Sequence, residues 1–302
     1  MSAVSRAVVA KAPAKINLAL HVGLPDASGY HPLLTAFQAI DLWEVVTATY
    51  APDLQVSVTS PWPGVSVPTG PDNTAWRAAE LMAQAAGRET TVALQIDKRI
   101  PVAGGMAGGS ADAAATLVAL NTLWGLQLTP HELHALGAQI GADVPFSVLG
   151  GAAIGRGRGD ELEPIEVSRP LHWVVVTSSS HLSTPEVYRQ FDALNPRTEP
   201  LPSSVGEEFL SAWRAGDAHA LADRLTNDLQ VPACHLLPEL TTVLEDVKKA
   251  GALAGLVSGS GPTVLGLASS ETHAQEVSRR LIDSGYDSLA TRSVSSGASL
   301  SP

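Results

Sequence analysis

The chain has 302 residues, of which 45% are hydrophobic, and carries a formal net charge of −11. This length suffices for two compact domains, and the apolar content excludes an intrinsically disordered chain. The 19 lysines and arginines are scattered singly or in adjacent pairs rather than gathered in a long run, which argues against a nucleic-acid partner.

The N-terminal sequence MSAVSRAVVAKAP has no long apolar core, and no later stretch reaches the roughly 18 uninterrupted apolar residues that span a bilayer. The single cysteine, Cys234, has no partner for an internal disulfide. We therefore expect a cytoplasmic protein without a membrane partner. A negatively charged protein that binds an anion must concentrate donors locally, in a glycine-rich loop, at a helix N-terminus, in a few lysines or through a divalent cation.

The first half of the sequence predicts strands and helices in a mixed order. Residues 7–22 read as a strand, in which polar and apolar residues alternate from Lys15 onward, so that Lys15 and Asn17 lie on one face. The turn sequence PDASGY follows at 25–30. Further strands are predicted at 35–49, 54–58 and 91–96, and helices at 73–86 and about 111–124.

The clearest helix signal precedes Asp143. Thr129 as N-cap, Pro130 at the first helical position and Glu132 three residues after the cap form a capping box, and Gly141 can end the helix. Asp143 is therefore predicted to lie in a loop just past the end of this helix.

The second half predicts a second unit of strands and helices. A buried strand at 173–176 is followed by helices at 207–214, 218–225 and 238–250, by a hairpin of strands 252–257 and 263–267 around SGSGP, and by a helix at 271–284. The predicted domains span residues 1–165 and 166–295, and residues 296–302 are expected to be a disordered tail.

The stretch IPVAGGMAGGSADAAATLVAL at 100–120 places four glycines in six residues between a strand and an alanine-rich helix. Glycine lets successive N–H groups turn inward, and the helix adds its positive dipole end, so this pattern is typical of a phosphate-binding loop. Spacing excludes Walker A, which needs Lys where Ser110 stands, and no window fits G-x-G-x-x-G. A flexible turn before a helix is the alternative. Ser110 is predicted to cap the helix, unless its hydroxyl binds phosphate or magnesium.

The run PVAGGMAGGSADAA resembles the ATP-binding signature of the GHMP kinases, and KAPAKINLAL at 11–20 and VSGSGPTVLGL at 257–267 match further segments of that family in order and spacing. AKINL, GYH at 29–31, GADVPF at 141–146 and NDL at 227–229 resemble the branch that phosphorylates a cytidine-diphosphate sugar alcohol. The resemblance implies an α+β, two-domain GHMP kinase fold, with ATP, Mg²⁺ and this small-molecule substrate bound in the cleft between the domains.

The resemblance also implies roles for individual residues. Lys15 and Asp143 would be the catalytic pair, which suits phosphoryl transfer because one group can take the hydroxyl proton while the other neutralises developing charge. The substrate site would contain Asn17, Tyr30, His31, Thr184 and Tyr188. The ATP loop would comprise Pro101, Val102, Ala103, Gly104, Gly105, Met106, Ala107, Gly108, Gly109, Ser110 and Ala111.

The loop departs from the family pattern at three positions: Met106 replaces a leucine, Ala107 a glycine and Ala111 the second of two serines. A metal contact therefore falls on Ser110. Tyr188 lies in TPEVYRQF, the start of a helix that Thr184 would cap, so core packing is an alternative for it. Two other functions stay open, namely a homoserine or mevalonate type of GHMP kinase and a non-catalytic nucleotide-binding regulator. GYH and GADVPF argue against the first, and the retained Lys15 and Asp143 against the second.

Overall fold

Two long antiparallel strands, β1 (Val8–Val22) and β2 (Leu33–Tyr50), form the centre of the first sheet. The computed structural model describes residues 7–61, 66–102, 104–195 and 200–301. The other strands that the first half contributes to this sheet are β3 (Gln55–Thr59), β4 (Val92–Asp97), β5 (Ala152–Arg156) and β6 (Glu161–Pro164). Strand β4 pairs with the end of β2, and β5 pairs with its beginning, so β2 connects the two wings of the sheet.

Strand β1 is buried on both faces, as its apolar positions require of a central strand. Ile16 and Leu18 are fully buried on one face, and Lys15 and Asn17 lie together on the other. The predicted strand and its alternation are therefore confirmed.

The described part of the first half also contains the helices α1 (Thr74–Ala85), α2 (Gly108–Leu123), α3 (Pro130–Ile140) and α4 (Val144–Leu149). Helices α1, α2 and α4 contact strands of this sheet, and α3 packs against these helices. The capping box of α3 is present, with both the Thr129 and Glu132 hydrogen bonds formed. Helix α2, in contrast, begins three residues before the predicted start, after Ala107 in the left-handed region at φ 58°. Ser110 thus lies inside the first turn, and its predicted role as N-cap is wrong.

The second half forms a separate four-stranded antiparallel sheet and also returns to the first one. Its strands are β7 (His172–Val176), β8 (Thr226–Asn227), β9 (Ala254–Val257), β10 (Val264–Ala268), β11 (Ser288–Arg292) and β12 (Ser299–Leu300). The second sheet has the order β11-β7-β10-β9, and β9 and β10 form the predicted hairpin.

The helices of the second half are α5 (Thr184–Leu194), α6 (Glu207–Ala215), α7 (Ala218–Ala222), α8 (Gln230–Leu236), α9 (Glu239–Lys249) and α10 (Glu271–Asp283). Helix α8 has no counterpart among the predicted elements. Helix α5 begins after Ser183, so the predicted capping role of Thr184 is also wrong. In the described ranges, no helix is long and apolar enough to cross a membrane.

Strands β8 and β12 both pair with β1, through Ala19 with Thr226 and Ala10 with Leu300. The segment 296–302, expected to be a disordered tail, instead contains β12, and the Ser301 N–H donates to the Val9 carbonyl at 2.8 Å. The first sheet therefore takes in segments from beyond residue 165, although the domain bounds themselves stay a prediction.

Candidate active site

A cavity of about 730 Å³ lies between the two halves of the chain. Most of the predicted site residues line it: Lys15, Asn17, Tyr30, His31, Gly104, Gly105, Ala107, Gly108, Gly109, Ser110, Asp143, Thr184 and Tyr188. Four predicted loop residues are not part of its wall: Pro101, Val102, Met106 and Ala111. Ala103 lies outside the described residues. The structure thus brings together groups that are far apart in the sequence.

Lys15 is buried and its ammonium is held from two sides. Its Nζ donates to Asn17 Oδ1 at 2.9 Å and lies 3.6 Å from Asp143 Oδ2. The Asn17 amide is oriented in turn by Thr35, since Asn17 Nδ2 donates to Thr35 Oγ1 at 2.7 Å and that hydroxyl donates to the Ala19 carbonyl at 2.8 Å. Thr35 is a supporting residue that the sequence analysis missed, because its contact with Asn17 exists only after β1 and β2 pair.

Asp143 lies between α3 and α4, in the loop position that the sequence predicts. Its side chain makes no capping hydrogen bond with α4, and 35% of it is exposed. The carboxylate is therefore available to a ligand in the cavity, while its backbone carbonyl is fixed by the Ser147 N–H at 3.1 Å. An Asp that acted only as a helix cap would accept a hydrogen bond from an N–H group at the start of α4, and the Asp143 side chain accepts none.

The glycine-rich loop passes directly beside Lys15 and against the second half of the chain. The Lys15 N–H donates to the Met106 carbonyl at 3.2 Å, and the Ser258 hydroxyl donates to the Gly105 carbonyl at 3.1 Å. A Cβ at Gly105, where φ is +73°, would come 2.1 Å from the Ser258 carbonyl oxygen, so only glycine fits there. The loop therefore depends on the close approach of the SGSG turn at 258–261.

The N-terminus of α2 can bind an anion. Among the described hydrogen bonds, the first within α2 runs from the Ala111 N–H to the Ala107 carbonyl at 2.9 Å. The N–H groups of Gly108, Gly109 and Ser110 precede it, and these three residues line the cavity. Unpaired donors at the positive end of a helix dipole form a phosphate site.

A buried cluster of Glu44, Lys98 and Asp112 lies beneath this loop. Lys98 Nζ is 2.6 Å from Glu44 Oε1 and 2.8 Å from Asp112 Oδ2. Burial and the neighbouring Asp112 raise the pKa of Glu44 to about 7, and burial raises the pKa of Asp112 to about 6. A Cβ at Gly108 would lie 3.1 Å from both Glu44 Oε1 and Lys98 Nζ, so this cluster supports the start of α2.

This ionic cluster was not predicted from the sequence. Asp112, inside an alanine-rich buried helix, could have indicated it, because a buried carboxylate needs a neighbouring cation.

His31 and Tyr30 form another part of the cavity wall, called the Tyr30 end below. His31 Nδ1 is 2.7 Å from the Gly23 carbonyl oxygen, and Nε2 is 3.5 Å from Asp192 Oδ2. Both ring nitrogens therefore face protein acceptors, and the ring packs 5.1 Å from Tyr188 between centroids. Tyr30 is about half exposed, with the Arg158 guanidinium carbon 3.8 Å from its ring centroid.

Tyr188 lines the cavity and packs against His31. Burial raises the pKa of its phenol, and the negative charge of Asp143 raises it further. Tyr188 also packs against the apolar core of the second half, so the core-packing alternative describes part of its environment.

The SGSG turn at 258–261 is held by Asn227, whose role was not predicted from the sequence. Asn227 Nδ2 donates to the carbonyls of Val257 and Gly259 at 2.8 and 2.7 Å. The turn is also joined to α5, since Thr184 Oγ1 and Ser260 Oγ are 2.8 Å apart. The NDL segment gave the position of Asn227 but not this contact.

Comparison with known proteins gives a consistent result. Residues 73–151 match the GHMP kinases N terminal domain, and residues 209–287 match GHMP kinases C terminal. The chain is 50% identical over 280 residues to 4-diphosphocytidyl-2-C-methyl-D-erythritol kinase from Nocardioides sp., covering 91% of this chain and 93% of that protein.

Solved structures are also similar. A 4-(cytidine 5'-diphospho)-2C-methyl-D-erythritol kinase superimposes with a TM-score of 0.76 at 33% identity, covering 94% of this chain and 98% of the other. Homoserine kinase from Cytophaga hutchinsonii superimposes with a TM-score of 0.75 at 17% identity, covering 100% and 99% of the two chains. The second likeness concerns the fold alone.

Proposed function

Since the chain belongs to the GHMP kinase family, we propose that it transfers the γ-phosphoryl group of ATP to the 2-hydroxyl of 4-diphosphocytidyl-2-C-methyl-D-erythritol, giving the 2-phosphate and ADP. This reaction belongs to the non-mevalonate route to isoprenoid precursors. The observation that carries the proposal is the Lys15–Asp143 pair, with 3.6 Å between Nζ and Oδ2, in a cavity that also contains the glycine-rich loop and the Tyr30–His31 turn.

The pair supplies the acid-base chemistry of phosphoryl transfer. The Asp143 carboxylate orients the 2-hydroxyl and accepts its proton, and the Lys15 ammonium favours the alkoxide and neutralises charge on the transferring group. The bond from the substrate oxygen to the γ-phosphorus forms as the bond to ADP breaks, and ADP leaves with the electron pair. Because Lys15 is fixed by Asn17, little reorganisation is needed as charge develops.

The loop residues fit ATP and a magnesium ion. The N–H groups at the start of α2 would bind phosphate oxygens, and the Ser110 hydroxyl, which has no described hydrogen bond, lies at the same end of the cavity. Mg²⁺, held in part by the Ser110 hydroxyl, would neutralise negative charge on the phosphates. The described residues contain no group of three or more acidic, His or Cys side chains that could hold a metal, so ATP itself would supply most of the ligands.

The Tyr30 end of the cavity would hold the cytidine half of the substrate. Tyr30 offers an exposed aromatic face for a base, and Tyr188 packs against the neighbouring His31. Homoserine and mevalonate carry no base and would leave the Tyr30 end unfilled. A non-catalytic regulator has no use for the buried Lys15 held beside Asp143.

The proposal is tested by incubating the protein with ATP, Mg²⁺ and single alcohols, and by following products with phosphorus NMR. The alcohols are the complete substrate, 2-C-methyl-D-erythritol 4-phosphate, homoserine and mevalonate. We expect phosphorylation of the complete substrate, and a much lower kcat/KM for the form without cytidine, because remote binding energy positions the hydroxyl. Equal kcat/KM for both forms would contradict the assignment, and ATP binding without any product would favour a regulator.

A further inference from the structure

Arg158 lies in the turn between β5 and β6 and reaches the cavity at the Tyr30 end. Its guanidinium carbon is 3.8 Å from the Tyr30 ring centroid, which is a cation–π contact. The turn is anchored, since the Leu33 N–H donates to the Gly157 carbonyl at 2.8 Å and the Arg158 N–H donates to Asp160 Oδ1 at 3.1 Å. Arg158 is therefore presented beside the Tyr30–His31 turn by a fixed loop.

The charge of Arg158 is not compensated by the residues that the structure describes. Lys15 lies 3.6 Å from Asp143, and Arg189, also on the cavity wall, lies 3.5 Å from Glu186. Within the described ranges, Arg158 forms no ion pair. Arg158 is exposed and lines the cavity, so its unpaired guanidinium is available to an anionic ligand there.

The described contacts indicate which anion Arg158 can reach. Tyr188, which lines the same cavity, packs against His31, the residue that follows Tyr30 in the chain. The glycine-rich loop lies beside Lys15. Arg158 contacts the Tyr30 ring, and no described contact joins its side chain to the glycine-rich loop, where the triphosphate of ATP is expected.

Resting on the proposed function, we infer that Arg158 binds the diphosphate of the cytidine-diphosphate substrate and determines the preference for this group. The diphosphate joins the base, expected at Tyr30, to the alcohol, expected at Asp143, and so passes the Arg158 side of the cavity. A guanidinium can bind two phosphate oxygens at once, which makes it better suited to this contact than an ammonium.

The test compares the affinities of cytidine and CDP, which differ only in the diphosphate. Dissociation constants are measured by calorimetry with excess ADP and Mg²⁺ to fill the glycine-rich loop, for the wild type, Arg158→Gln and Arg189→Gln. We expect the wild type to bind CDP about tenfold or more tightly than cytidine, as charge-assisted bonds to phosphate imply. Arg158→Gln should remove most of this ratio and change cytidine affinity little, whereas Arg189→Gln should keep the ratio.

An unchanged ratio in Arg158→Gln overturns the inference, as does an equal loss for cytidine and CDP, which would assign Arg158 to the base. If only Arg189→Gln loses the ratio of CDP to cytidine affinity, the phosphate contact lies on α5, and the inference about Arg158 is overturned as well. If Arg158→Gln melts below the wild type, Arg158→Lys replaces it, and an intermediate ratio is expected. If the wild type phosphorylates the complete substrate and Arg158→Gln keeps the affinity ratio, only this inference is refuted. If the wild type forms no product from the complete substrate, the proposed function itself is refuted.

Discussion

The Lys15 ammonium donates to Asn17 Oδ1 at 2.9 Å and lies 3.6 Å from Asp143 Oδ2. These contacts suit either a structural or a catalytic role, and the two roles predict different effects of substitution. A purely structural lysine would stabilise the fold, whereas a catalytic one would stabilise the transition state. We expect Lys15→Ala and Asp143→Asn each to lower kcat about a hundredfold or more. The melting temperature should stay close to that of the wild type.

The matched control is Lys11→Ala, on the same strand, where the ammonium lies 4.5 Å from the Trp43 ring centroid outside the cavity. Its turnover should be close to normal. Near-normal turnover in both site variants, or a melting temperature that falls in parallel with activity, would contradict the catalytic assignment.

Ser110 offers a second test, because the structure removes its capping role. The N-cap position of α2 is occupied by Ala107, which has no side-chain capping bond. Ser110→Ala should therefore change the free energy of unfolding by less than about 0.5 kcal/mol, as for a surface substitution. If the hydroxyl contacts the metal, the Mg²⁺ concentration for half-maximal rate should rise several-fold.

This Mg²⁺ dependence is measured by steady-state rates at fixed ATP, with Ser57→Ala on β3 as a serine control outside the cavity. A variant with unchanged Mg²⁺ dependence and clearly lower stability would show that the hydroxyl acts on the fold rather than on the metal.

Much of the candidate site could be predicted from the sequence because its signals are local. The alternation along β1 predicts that Lys15 and Asn17 share a face, and the α3 capping box places Asp143 just past a helix. The surroundings of Gly108 could not be predicted. A Cβ added at this glycine would face Glu44 and Lys98, whose positions depend on packing between β2, the segment after β4 and α2.

The start of α2 shows how tertiary contacts override local preference. Glycine is a poor helix former, so a start at Ala111 is the natural prediction. The structure extends the helix back to Gly108, where small residues let the first turn approach Thr74 and the buried cluster. The Thr74 hydroxyl donates to the Gly109 carbonyl at 2.6 Å, which fixes the first turn from α1. No sequence signal near 108 reports this contact.

The cluster of Glu44, Lys98 and Asp112 should make stability depend on pH. The pKa of Glu44 is raised by burial and by Asp112 from the ordinary 4.5 to about 7. The folded state thus holds this proton more tightly than the unfolded state, so its stabilising contribution is complete below the ordinary pKa and is lost as pH rises toward 7. We expect the free energy of unfolding to fall by about 1–3 kcal/mol between about pH 5 and about pH 7.5.

Urea denaturation across this pH range checks the expectation. Glu44→Gln, which cannot ionise, should flatten the decline, while Glu80→Gln at an exposed position on α1 should keep it. Glu44→Gln also changes the free energy of unfolding at every pH. The variants are therefore compared by the slope of this free energy against pH. An identical slope in the wild type and Glu44→Gln would contradict the assignment.

The two halves of the chain share one framework. Strands β8 and β12 both pair with β1, and Trp213 on α6 donates from Nε1 to Gln38 Oε1 on β2 at 2.9 Å. One apolar core cluster includes Ile16 of β1 together with Trp173 of β7. The sequence predicts the two α+β units but not the pairing of β8 and β12 with β1, since a two-residue strand such as β12 has no periodic sequence pattern.

This shared framework predicts that residues 1–165 do not fold when expressed alone. The fragment lacks both β8 and β12 beside β1, and it exposes apolar surface that the second half covers in the intact chain. We expect a broad, non-cooperative thermal transition by circular dichroism and poor dispersion of amide proton shifts by NMR. Adding residues 166–302 as a separate chain should restore a cooperative transition, because the missing contacts are non-covalent. A fragment 1–165 that melts cooperatively with native helix content would show instead that the first sheet is stable without its late strands.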